Sequence, residues 1–141
     1  MNLNKNLIFL GMMGSGKSSI GYLVSKKLNL NFFDIDRLIE KNEEMTISNI
    51  FKERGEINFR KLEEKITLKT LKSKNSVIAL GGGGFVNEKI RNEIIKNHLS
   101  FWLNWSDHIL LKRIKASKKR PLDLNSTTQE IKQLIKRRIK I

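Results

Sequence analysis

Gly11-Met12-Met13-Gly14-Ser15-Gly16-Lys17-Ser18 fits the pattern G-x-x-x-x-G-K-[ST] and follows directly on the apolar run Leu7–Leu10. Glycines at this spacing let successive backbone N–H groups turn inward into one concave anion cup, and a helix beginning near Lys17 adds the positive end of its dipole. The Lys17 ammonium can then reach the β- and γ-phosphates of a nucleoside triphosphate, while the Ser18 hydroxyl can sit on Mg2+. The chain is too short for a motor or a switch GTPase. A phosphotransferase that moves the γ-phosphoryl to a small molecule suits it better.

Three further clusters bear on the acceptor. Phe33-Asp34-Ile35-Asp36 sets two carboxylates at i and i+2 just past the second apolar run, so both can project from a strand's carboxyl end on one side. One can support the Mg2+ shell and the other can accept the hydrogen bond or the proton of an attacking hydroxyl. The plainer alternative makes Asp36 a helix N-cap ahead of Leu38 and Ile39. Gly55-Glu56-Ile57-Asn58-Phe59-Arg60 follows, with Glu63 three residues beyond Arg60 and within helical reach of it. A guanidinium held in this way clamps a carboxylate or phosphate, although an exposed ion pair would look the same in sequence. Leu80-Gly81-Gly82-Gly83-Gly84 then ends a third apolar run, where bare backbone admits a ligand closely.

These groups need a scaffold that brings them to one edge. The apolar runs at 7–10, 32–33, 77–80 and 99–103 are short, rich in β-branched or aromatic residues, and read as strands. Between them lie helical spacings: Ile20, Leu23, Val24 and Leu28; Ile47, Ile50 and Phe51, then Leu62 and Ile66; Ile90, Ile94 and Ile95; Ile109, Leu110 and Ile114. Such alternation implies right-handed βαβ units and a parallel sheet covered on both faces. Thr127 and Glu130 form a capping-box pattern that starts a last helix through Ile131, Leu134, Ile135 and Ile139. Residues 116–126, with the only proline at Pro121, read as an exposed loop between two helices.

The 141 residues fit one domain, taken as 1–141, with a core large enough to need no disulfide. Cysteine is absent, which suits a reducing compartment, and the apolar N-terminal stretch is too short for a signal core or a membrane span. A cytoplasmic location and no membrane partner are the expectation. Lysine plus arginine number 28 against 14 acids, for a net charge of +14 and a pI near 10.2. That balance keeps a basic nucleic-acid-binding or regulatory protein open as an alternative. The cations are spread along the chain without an aromatic-interleaved stripe, which makes nucleic acid the weaker reading.

In this order and spacing the phosphate loop, F-x-D-x-D, G-E-x-x-F-R, L-G-G-G and Arg120-Pro121-Leu122 resemble the shikimate kinase family over essentially the whole chain. The resemblance implies a P-loop three-layer α/β/α fold and transfer of the ATP γ-phosphoryl to the 3-hydroxyl of shikimate, with Mg2+ as cofactor. By position, Gly14, Ser15, Gly16, Lys17, Ser18 and Ser19 would wrap the phosphates, with Ser18 on Mg2+ and Asp34 assisting through the metal's outer shell. Asp36 would bind the substrate hydroxyls and serve as base. Arg60 and Gly82 match substrate positions, Arg120 the lid arginine over the phosphates, and Arg113 a nucleotide-side residue. Arg138 fits the second carboxylate arginine, with Arg137 the alternative. The enzymatic rival is a gluconate-type kinase of the same architecture, disfavoured by paired arginines beside Asp36.

The family extends past the position of Ile141, with a fifth strand, an adenine-side loop and a closing helix. The resemblance therefore implies a sheet of order 2-3-1-4-5 with strand 5 missing, and an uncovered apolar strand at 99–103 beside Phe101 and Trp102. Weak base-side affinity is one expectation. Self-association of an otherwise monomeric enzyme is the other. The lid carries Lys115-Ala116-Ser117-Lys118-Lys119 where some relatives have glycines, and Gly84 replaces a common alanine at no evident cost.

Overall fold

The computed structural model describes residues 4–116 and 127–141. Four parallel strands, β1 (Leu7–Leu10), β2 (Asn31–Asp34), β3 (Ser76–Ala79) and β4 (Leu99–Trp102), form one sheet of order β2-β3-β1-β4. The register pairs Leu7 with Val77 and with Leu99, and Asn31 with Ser76. Among the described residues six α-helices surround it: α1 (Lys17–Leu28), α2 (Ile35–Glu43), α3 (Ile47–Leu71), α4 (Glu88–Asn97), α5 (Asp107–Ala116) and α6 (Thr128–Ile139). The layers are α/β/α. No helix among the described residues is long and apolar enough to cross a membrane.

Strand period sorts the core into two faces. Ile8, Leu10, Ile78 and Leu80 pack with Ile35, Ile39, Ile50, Ile90 and Ile94, so α2, α3 and α4 cover one face. Leu7, Phe9 and Val77 face Ile20, Val24 and Leu28 of α1 on the other. A third cluster joins Met12 and Met13 of the loop after β1 to Leu110 and Ile114 of α5 and to Ile131 and Ile135 of α6. β4 is an edge strand, with Phe101 and Trp102 exposed and Phe101 stacked on Phe9 at 5.4 Å.

The expected strands and helices fall where the spacing puts them, and the helix offered after Asp36 is α2, which starts earlier, at Ile35. Two features depart from the pattern. α3 is broken at Gly55, whose φ of 76° and ψ of 169° suit glycine alone. Beyond the break its fully buried stripe is Phe59, Glu63, Thr67 and Leu71 rather than Leu62 and Ile66, which pack at the margin. Two polar residues at core positions hide that stripe from a hydrophobicity reading. At α6 the capping box forms as expected, with Thr127 N donating to Glu130 Oε2 and Glu130 N to Thr127 Oγ1.

The amino-terminal ends of the strands meet at Asn6, which is buried. Its Nδ2 donates to Leu71 O at 3.0 Å and Ser73 O at 2.7 Å, its Oδ1 accepts from Ser76 N, and its own N–H donates to His98 Nδ1 at 3.4 Å. His98 Nε2 is buried without a hydrogen-bond partner and lies 3.8 Å from Glu93 Oε1. Burial pushes the His98 imidazole below its ordinary value, with Lys5 adding to this and Glu93 opposing it. The native state therefore binds fewer protons than the unfolded chain. Stability is complete above the unfolded imidazole pKa, about 6.5, and falls as pH drops through that value toward the lower folded one. Melting temperatures measured from pH 7.5 to 5 should decline more steeply for the wild-type chain than for His98→Gln. Parallel curves would show that His98 does not carry this slope.

Candidate active site

The phosphate loop leaves β1 at Leu10 and enters α1 through Gly16, whose φ of 92° places the N-cap in the left-handed region. No side chain caps this helix, so its first N–H groups are left to an incoming anion. Lys17, largely buried, donates from Nζ to Gly11 O and Met12 O, both at 2.8 Å. The ammonium is thus parked on the loop it would serve. Gly14, Gly16, Lys17, Ser18 and Ser19 share a cavity of about 510 Å3 with Asp34, Asp36 and Arg113. Arg113 reaches it from α5, with Nη1 donating to Gly14 O at 3.2 Å. Ser15 is fully buried behind that wall.

The two aspartates share the cavity, but not for the reason strand geometry suggests. Asp34 ends β2 and is itself the N-cap of α2, with Oδ1 accepting from Arg37 N at 3.2 Å. Asp36 lies in the first turn of α2, so the N-cap reading of Asp36 is corrected. A strand-to-helix junction, rather than two positions on one strand, sets the carboxylates side by side. Glu40 and Thr46 continue the ordering of this corner by accepting from Ile47 N and Asn49 N.

Opposite the acids stand two guanidinia. Arg60 Nη1 donates to Glu63 Oε2 at 2.7 Å and Nη2 to Glu56 Oε1 at 3.3 Å, while Arg138 Nη1 donates to Gly82 O at 3.1 Å. Glu63 is 2% exposed, so this pair is far from the surface ion pair that the sequence allows. Arg137 instead turns back along α6, its Nε on Gln133 O at 3.5 Å and exposed. Of the two candidates, Arg138 is the one brought to the glycine run. Arg60, Glu63, Gly83 and Arg138, with Arg137 beside them, border a second cavity of about 390 Å3.

The glycine run is bare because charged groups crowd it. A Cβ at Gly81 would strike Glu63 Oε1 and lie 3.1 Å from Asp36 Oδ1; one at Gly83 would lie 2.7 Å from Arg60 Nη1 and 3.1 Å from Arg138 Nη2. Both contacts are too close for an alanine without displacing a charge. Gly84 is also less free than its sequence position suggests, since a Cβ there would sit 3.0 Å from Leu80 Cγ. The segment after the run is pinned to α3 by Glu64, which accepts from Lys89 Nζ and Asn87 Nδ2. Those bonds, Lys89 first, hold the Glu64 carboxyl below the usual range.

Arg120 and the rest of the lid lie outside the described residues, apart from Ala116 at the end of α5. Sequence reasoning missed two contributors. Glu63 was seen only as a helical partner of Arg60, and nothing in its type announces burial. Trp105, whose Nε1 donates to Ser15 O at 2.9 Å, was not singled out, although it follows β4 at the sheet edge where open α/β folds bind ligands.

The shikimate kinase family model matches residues 13–141. A shikimate kinase of Bartonella quintana is 43% identical over 96% of this chain, which spans 65% of that protein's length, just under two thirds. The solved shikimate kinase from Aquifex aeolicus is 38% identical, with a TM-score of 0.85 over 96% of this chain and 80% of that one. A shikimate kinase from Acinetobacter baumannii, solved in complex with shikimate, superposes with a TM-score of 0.92 at 28% identity, covering 99% of this chain and 78% of that one. With the phosphate loop, the aspartate corner and the two arginines beside the glycine run in place, the chain belongs to the shikimate kinase family.

Proposed function

We propose that this chain transfers the γ-phosphoryl of ATP to the 3-hydroxyl of shikimate, releasing shikimate 3-phosphate and ADP. The observation that carries the reading is the meeting of Asp36, Arg60 and Arg138 around Gly81, Gly82 and Gly83, next to the cavity that holds Lys17. Two guanidinia and a carboxylate around one glycine run suit a ring that carries one carboxylate and several hydroxyls. The Acinetobacter baumannii relative, solved with shikimate, supports the choice of ring acid.

In this scheme Gly14 to Ser19 wrap the β- and γ-phosphates, and Lys17 exchanges its two carbonyl partners for phosphate oxygens. Arg60 and Arg138 hold the ring carboxylate, and the Gly82 backbone lets the ring approach. Asp36 orients the 3-hydroxyl and takes its proton as the oxygen attacks phosphorus and the bridge to ADP breaks. Arg113 lies on the nucleotide side. Ser18 and Asp34 line the same cavity, a hydroxyl and a carboxylate beside a phosphate cup, which is a donor set suited to Mg2+ held largely by water and phosphate. When bound, Mg2+ would offset phosphate charge in the transition state. Lys17, Arg60 and Arg138 along this edge would draw in both anionic substrates.

A coupled assay of ADP release with and without shikimate tests the reaction. Asp36→Asn should lower shikimate-dependent release by about 100-fold or more, the usual contribution of a positioned base. Lys17→Ala should abolish it and weaken nucleotide binding. Unaltered release in both variants would remove the mechanism.

The buried carboxylate gives a second test. Glu63→Gln keeps the shape but leaves Arg60 only the exposed Glu56 as a charged partner, so KM for shikimate should rise roughly tenfold, as expected for one charge-assisted bond, while KM for ATP stays near wild type. A rise confined to KM for ATP would place Glu63 on the wrong side of the site.

A further inference from the structure

A cup of inward-facing amides turns its carbonyls outward, where each needs a donor of its own. In this loop Gly11 O and Met12 O take Lys17 Nζ, Gly14 O takes Arg113, Gly16 O takes Ile20 N, and Ser15 O takes the indole N–H of Trp105 at 2.9 Å. The Trp105 bond spans the fold, tying the start of α1 to the segment between β4 and α5. Ser15 is fully buried, so its carbonyl has no water to turn to if the indole is removed.

The direction of this bond matters because the Ser15 carbonyl and the Gly16 N–H belong to one planar peptide and point opposite ways. Holding the carbonyl outward against Trp105 holds the Gly16 N–H on the other side. Gly16 borders the phosphate cavity. The indole is itself fixed: its ring packs against the cluster of Met12, Met13, Leu110 and Ile114, and the Arg113 guanidinium carbon lies 4.7 Å from its centroid. One side chain thus orients both the peptide before Lys17 and the arginine on Gly14 O.

We propose that Trp105 is a positioning residue for the phosphate cup, aiming the Gly16 amide through its indole N–H and holding Arg113 against the loop through its ring face. It acts on the nucleotide's phosphates and not on the ring acid. The inference rests on the reading of the cup as a nucleotide site.

Calorimetric titration of the 141-residue chain with ADP, with inorganic tripolyphosphate and with shikimate tests it. Trp105→Phe keeps a ring face for Arg113 and deletes the N–H. Kd for ADP and for tripolyphosphate should both rise, by about 3- to 10-fold for one lost hydrogen bond to a buried acceptor, while Kd for shikimate stays unchanged. Equal binding of ADP and tripolyphosphate by both forms overturns the proposal, as does a loss shared by shikimate, which would mark a general packing defect. If Trp105→Phe does not fold, Trp102→Phe leaves Trp105 as the single indole. Its emission should then shift on saturation with ADP, and unchanged emission overturns the proposal. A wild-type chain that binds neither ADP nor tripolyphosphate removes the nucleotide reading as well, whereas equal binding in wild type and Trp105→Phe removes this inference alone.

Discussion

The Glu63 carboxylate, buried beneath a glycine run, obliges much of the surrounding structure to be as it is. A carboxylate out of water requires a cation and a vacant neighbourhood. Arg60 supplies the first at 2.7 Å, three residues earlier on the same helix. Gly81 supplies the second by lacking a Cβ that Glu63 would meet. Once the pair is fixed, the guanidinium of Arg60 is no longer a mobile surface group. Its remaining face is turned toward Gly83, where Arg138 arrives from a helix far away in sequence. A side chain at Gly81 or Gly83 would push these charged ends aside, and removing the buried acid would leave Arg60 only the exposed Glu56.

The two halves of the site share a mechanical base as well as an edge. Met12 and Met13, inside the phosphate loop, pack against Ile131 and Ile135 of α6, and Arg138 lies one turn further along that helix. The loop that would hold phosphate and the helix that carries the second arginine are therefore anchored in one apolar cluster. Trp105 packs on the same cluster while bonding to Ser15 O. Packed side chains transmit small displacements because interiors are close to solid density. A shift of α6 would be felt at the loop, and the reverse.

The strands, the glycine loop, the start of α1 and the capping box at Thr127 were legible in the sequence because each is specified by local residues: short β-branched or aromatic runs, closely spaced glycines before Lys17, a hydroxyl three before a carboxylate. What was not legible is what local types conceal. Glu63 and Thr67 occupy core positions of α3, so the stripe reads as polar and the burial of its acid is invisible until α3 is packed on the sheet. Asp34 and Asp36 were paired correctly but by a strand argument, whereas the chain has already turned into helix at Ile35. Arg137 and Arg138 are adjacent, and only the phase of α6 against the glycine run separates them. Trp105 is a lone aromatic after a strand, with no motif to carry it. Apart from the aspartate corner, whose N-cap bond is local, each of these depends on a contact between residues distant in sequence, which a local pattern does not encode.

Bringing two anions together is the electrostatic problem such an edge has to solve. Proximity is worth several kcal/mol to a bimolecular step, yet like charges a few ångströms apart repel strongly where the dielectric is low. The structure answers with separate cations on the two sides: Lys17 and Arg113 beside the loop, Arg60 and Arg138 beyond the glycines. Between them runs backbone without side chains, which adds no charge and takes little space. Asp36 stands at the seam, close to Gly81 and within the phosphate-side cavity. In the proposed reaction a hydroxyl held there would face the phosphate cup while the ring's own charge stays on the far arginines. Such an arrangement would keep the anionic ends apart and the reacting atoms near, so the spacing of the cations would matter as much as their number.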